Sequence, residues 1–217
     1  MISKLFRKII SDLKDDAFLS EFKFKKSENM LYLRDDSSCL SVGFEHWQEY
    51  GKCTIYITYG RRFEILTKWF EKFSFKTIRD QRNNPNIMYD NTNFGGEEYI
   101  QFDYSFSDYE EKMQIMLPMV KKNLACFSKK YSTLEDFYKE DVLPIINGQK
   151  EFPDIGADWI FIYLTLGFLV DRENYNLLKE KVLKHVEWMQ GRGEPNVKRY
   201  YDRMNEIISY MEKNVKL

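Results

Sequence analysis

The sequence predicts an α+β protein: an antiparallel sheet of about five strands with packed helices, followed by an all-helical C-terminal region. Alternating apolar and polar residues run through Leu40, Val42, Phe44 and His46 and resume, after a break at Gln48–Gly51, in Cys53, Ile55, Ile57 and Tyr59. Successive strand patterns are joined by short turn-rich connections, whereas parallel neighbours need crossovers of about a dozen residues or more. From Asp158 onward the pattern is helical. With the central turn on Glu49 and Tyr50, Leu40 faces Tyr59, Val42 faces Ile57, Phe44 faces Ile55 and His46 faces Cys53, so one side of this hairpin is apolar.

Taken in order, Ile2, Leu5, Phe6, Ile9, Ile10 and Leu13 recur at helical spacing and predict a helix over 2–16 that packs on the sheet. Phe22–Lys26 and Met30–Arg34 alternate around Ser27, Glu28 and Asn29 and form a first hairpin. After Gly60, the wide apolar face of Phe63, Leu66, Phe70 and Phe73 predicts a helix over 61–73, and Phe75–Arg79 a short strand. The Asn-rich segment 80–96 reads as an irregular loop or as one hiding a strand around Ile87–Tyr89.

Tyr99–Phe106 alternates as a further strand. Ser107 and Glu110 have capping-box spacing ahead of a long helical stripe from Met113 to Tyr131, which Pro118 kinks or restarts. Thr133 with Asp136 caps a shorter helix ending near Asn147–Gly148. Lys150–Ala157 is a connector, followed by three helices over about 159–170, 173–189 and 196–214. Residues 1–149 are thus expected to form the α+β domain and 150–217 a helical region packed on it.

A chain of 217 residues buries a substantial core, and 17 Phe with 15 Tyr make that core rich in rings. Lys and Arg number 33 against 34 Asp and Glu, so no overall field attracts nucleic acid or an anionic membrane. Three scattered cysteines without a CxxC pair point to reduced thiols and a cytoplasmic location. The start lacks the unbroken apolar run of a signal peptide. The apolar window Trp159–Val170 is shorter than the roughly 20 residues that span a bilayer.

Candidate chemistry is sparse. His46 opposite Cys53 would be a thiol beside a general base, but no third group orients the imidazole, and both residues continue an apolar stripe, which favours core packing. Two separated His and three scattered Cys do not form a metal site, and no motif calls for a cofactor. Gly95–Gly96 lacks the spacing and the lysine of a phosphate loop. His185 reads as a boundary residue of its helix. What remains is the polar side of the sheet, where Glu45, Trp47, Tyr56, Tyr99, Gln101 and Asp103 combine large rings with acceptors, a mixture found in protein interfaces.

The opening helix, then FLSEFKFKKSENMLYLRDD and LSVGFEHWQ, resembles a group of uncharacterised bacterial proteins that begin with a helix and a Gly-Phe-Lys-Lys strand. Glu21–Lys26 stands at that motif without its glycine, and the resemblance covers residues 1–106. Some such proteins look like immunity or accessory proteins of toxin systems, so the resemblance implies a non-enzymatic protein that neutralises a protein partner by binding it. No catalytic residue carries over. The alternatives are a small-molecule enzyme with a pocket between the sheet and the helical region, using His46 and Cys53 or carboxylates such as Glu45 and Asp103, and a self-associating protein that uses the same aromatic surface.

Overall fold

A computed structural model describes residues 4–153, 158–193 and 197–214 of the chain. Helix α1 (Lys4–Asp15) buries the stripe Leu5, Phe6, Ile9, Ile10 and Leu13, and its other faces carry lysines and aspartates. The strands β1 (Lys23–Lys25), β2 (Met30–Arg34), β3 (Ser38–Glu49) and β4 (Lys52–Phe63) follow as an antiparallel meander. The sheet is completed by β5 (Ile87–Asp90) and β6 (Tyr99–Asp103). Both pair with β4 on the edge away from β3: β6 along Lys52–Tyr56 and β5 along Thr58–Arg61. The long β4 therefore gives the sheet room for two short strands end to end. The α+β class, the antiparallel sheet and the helical C-terminal region are those expected from the sequence.

Several boundaries differ, each for a local reason. The central turn lies at Tyr50–Gly51, one residue later than expected, with φ of 48° and 76°. Such two-residue turns need left-handed backbone, which Gly51 adopts without steric cost. Gly43 consequently lies beside Thr58, and the Ser41 hydroxyl donates to the Gly60 carbonyl at 3.2 Å. The expected register changes by an even number, so every side chain keeps its face.

Strand β4 continues through Phe63, and the following helix α2 is confined to Glu64–Phe70. The expected strand at Phe75–Arg79 is absent; Thr77 accepts a hydrogen bond from Asp80 N and caps helix α3 (Ile78–Asn83) instead. The Asn-rich segment does hold a strand, β5, closed by a single 3₁₀ turn over Asn91–Phe94. Strand β6 ends at Asp103, three residues early, because the carboxylate of Asp103 turns back to accept from the amide and hydroxyl of Ser105. Helix α4 (Tyr109–Lys130) runs unbroken past Pro118, which stands on its exposed side, where the ring and the missing amide are accommodated away from the core.

The chain divides into two compact units, Met1–Arg62 with Ile87–Lys129 and Phe63–Asn86 with Lys130–Leu217. In the first, α1 and α4 cover one face of the sheet. Phe6 stacks on His46 of β3 at 4.1 Å, and Tyr109 of α4 donates to Asp12 of α1 at 2.6 Å. Under them lie Val42, Phe44, Ile55, Ile57 and Phe102.

The second unit is helical. Thr133 caps α5 (Leu134–Phe137) in a reciprocal box with Asp136, as its spacing predicts. A π-helical turn over Tyr138–Val142 leads into α6 (Leu143–Ile146). Helix α7 (Asp158–Val170) is buried on all sides from Trp159 to Phe168 and is the axis of this unit. Around it lie α8 (Tyr175–Gly191) and α9 (Val197–Asn214). Trp69 meets Phe168 at 5.6 Å and Tyr210 at 5.9 Å, and Phe75 meets Tyr200 at 5.0 Å. Of the expected elements, residues 2–3 of the opening helix, 154–157 of the connector and 196 of the last helix lie outside the described residues.

Candidate functional site: the open face of the sheet

Alternation along the strands sorts the candidate residues onto two faces. The buried face carries Leu31 opposite Val42, Cys53 opposite Phe102 and Ile55 opposite Ile100. The open face carries Met30 opposite Gly43, Tyr56 opposite Tyr99, Thr54 opposite Gln101, Lys52 opposite Asp103 and Thr58 opposite Asp90. Glu45 and Trp47 continue the open face of β3 beyond Ser41 and Gly43.

All six residues expected to form an interface therefore stand on one side of one sheet. Trp47 and Tyr99 keep 45% and 43% of their surface exposed. Their ring centroids are 6.3 Å apart at 68°, an edge-to-face pair bridging neighbouring rows. Gln101 donates to Thr54 at 3.2 Å, which fixes its amide.

The charges around these rings are mostly acidic. Tyr56 Oη donates to the Asp90 carboxylate at 2.7 Å. Burial pushes the Tyr56 phenol well above its ordinary pKa, and the hydrogen bond to Asp90 together with the nearby charges of Glu98 and Glu45 pushes the same way. Asp90 would be raised by its own burial, but hydrogen bonds from Thr92 and Tyr56 outweigh this and hold it below the usual range. Asp103 is held at about 2, first by the Ser105 hydroxyl and amide and then by Lys52, whose ammonium is 3.3 Å away.

His46 and Cys53 belong to the other face. His46 lies flat on Phe6 with its Nδ1 buried and without a hydrogen-bond partner among the described residues. Burial lowers its pKa. Counting outward from the Tyr50–Gly51 turn, His46 stands opposite Ile55 and Cys53 opposite Gln48, so the expected direct facing of His46 and Cys53 is lost with the turn position. Cys53 is completely buried. No group of three or more His, Cys, Asp or Glu placed to hold a metal ion occurs among the described residues.

Two features were not found from the sequence. Asp90 joins the open face only because β5 pairs with β4, and its short, Asn-flanked segment gives no clear alternation signal. In the second unit, Phe152, Trp159, His185 and Trp188 form a ring cluster, with His185 4.8 Å from Phe152, 5.5 Å from Trp159 and 5.4 Å from Trp188. His185 is thus packed between rings drawn from a connector and two helices, which spacing along α8 alone does not reveal. No helix among the described residues is long and apolar enough to cross a membrane. No protein-family model, curated protein or solved structure matches the chain.

Proposed function

We propose that this chain is a non-enzymatic protein-binding protein of the toxin-neutralising kind, acting in the bacterial cytoplasm, and that the open face of its sheet is the binding surface. The observation that carries this reading is the exposed Trp47–Tyr99 pair set among Glu45, Tyr56, Gln101 and Asp103. Rigid rings offer large contact area at small entropic cost, and the surrounding acceptors supply a polar rim. Strand pairing holds this surface ready before any partner arrives. Three scattered cysteines without a CxxC pair support the reading of a reducing compartment.

The test is affinity purification from source cells with wild type and with Trp47→Ala/Tyr99→Ala, both first shown to have the same thermal transition. A stoichiometric protein retained by wild type and lost from the double variant is the expected result. Equal retention by both forms, or no partner for either, overturns the assignment of this face.

A further inference from the structure

The open face is chemically divided. Away from the exposed rings its basic residues are Lys23, Lys25 and Arg34 on β1 and β2, where Lys25 is already turned to Glu28 at 3.8 Å, and the buried Arg62 at the far end of β4. On this face around the exposed rings, the strands and the turn before β6 carry Glu45, Glu49, Asp90, Glu98 and Asp103 against one cation among the described residues, Lys52. Lys52 is engaged with Asp103, and Asp90 is engaged by Tyr56 and Thr92. Glu45 and Glu98 are exposed and have no ion pair among the described residues. Glu45 stands on the same side of β3 as Trp47, two residues before it, and Tyr99 directly follows Glu98. Two exposed ring surfaces and two unneutralised carboxylates thus share one end of the face. An aromatic face attracts a cation through its quadrupole, and carboxylates add charge attraction on the same side.

We propose that this end of the sheet recognises its protein partner by an arginine or lysine side chain, seated on the Trp47 and Tyr99 rings between the carboxylates of Glu45 and Glu98. The proposal rests on the binding function inferred above and names the chemistry of the partner: a basic protein segment. An acidic or purely apolar segment is excluded, the first by repulsion and the second because it would strip water from carboxylates without replacing it.

The probe is a ten-residue peptide of alternating Arg and Ser, compared with the same peptide carrying citrulline in place of Arg, which keeps the shape and loses the charge. Binding is followed by the indole N–H resonance of Trp47, assigned through Trp47→Phe. The Arg peptide is expected to shift that resonance saturably and to bind less tightly as salt is raised. Glu45→Gln/Glu98→Gln should weaken it about fivefold, the size expected for losing two exposed charge contacts. An equal response to the citrulline peptide, no response to either, or no change in the Gln variant overturns the cationic recognition. The wider binding function is judged separately: if the cellular partner still binds Glu45→Gln/Glu98→Gln with full affinity yet is lost from Trp47→Ala/Tyr99→Ala, the face is right and its basic specificity is wrong.

Discussion

Thr58 and Gly43 show how closely single residues define the sheet. A Cβ built on Gly43 would lie 2.6 Å from Thr58 Oγ1, well inside contact distance. Thr58 is buried and β-branched, so its side chain has few other rotamers to adopt. Gly43→Ala should therefore destabilise the protein by about 1–2 kcal/mol through overpacking, more than the several tenths gained by restricting the unfolded chain. In a Thr58→Ala background the hydroxyl is gone, and the same substitution should become nearly neutral. Denaturant unfolding of the four proteins measures this coupling. An equal cost in both backgrounds would place the strain elsewhere. Gly43 also marks what the sequence withheld: alternation identified the strand and its two faces, but alternation is indifferent to a shift of two residues. The turn position decides that shift, and Gly51 was its only local signal.

Among the elements, α1 depends on polar contacts as well as on its apolar stripe. Asp12 accepts from Lys8 at 2.7 Å and from Tyr109 at 2.6 Å, and the Lys8 ammonium lies 4.1 Å from the centre of the Tyr109 ring. Further along, Lys121 of α4 reaches Asp16 at 3.0 Å. Burial alone would raise the Asp12 pKa, but the bonds from Lys8 and Tyr109 lower it overall. A carboxylate with a depressed folded-state pKa contributes stability above its unfolded value, near 4, and that contribution is lost as pH falls through the folded value. Tyr109→Phe removes one of the bonds responsible and should cost about 1 kcal/mol at neutral pH, discounted for the partial exposure of Asp12. It should also make the loss of stability below pH 4 less steep. Hydrogen exchange should show the effect concentrated in α1, with the amides of β3 and β4 nearly unchanged. A uniform rise in exchange would refute a local clamp. The helix itself was plain in its 3.6-residue period. The partner of its Asp12 was not, because Tyr109 lies 97 residues away and local spacing carries no information about it.

On the scale of the whole molecule, the α+β class and the helical C-terminus are legible in strand and helix periodicity, while the composition of the two units is a matter of long-range packing. The second unit takes in Phe63–Asn86, a segment lying between two strands of the sheet. Within it, Trp69 rests on Phe168 and Tyr210, and Phe75 on Phe161 and Tyr200. Rings of this size bury large apolar areas, and each partner comes from α7 or α9. These contacts supply a test of the division at residue 149 expected from the sequence. A fragment of residues 1–149 would keep the sheet, α1 and α4 but would leave Trp69, Phe73 and Phe75 without those partners. It should therefore bind a hydrophobic dye such as ANS and lose exchange protection over 64–83, while its β3 and β4 amides stay protected. A fragment that binds no dye and protects 64–83 as fully as the intact chain would show that these rings find a home inside residues 1–149. The six candidate residues on the open face lie between Glu45 and Asp103, so retention of the cellular partner by this fragment would further place recognition within residues 1–149.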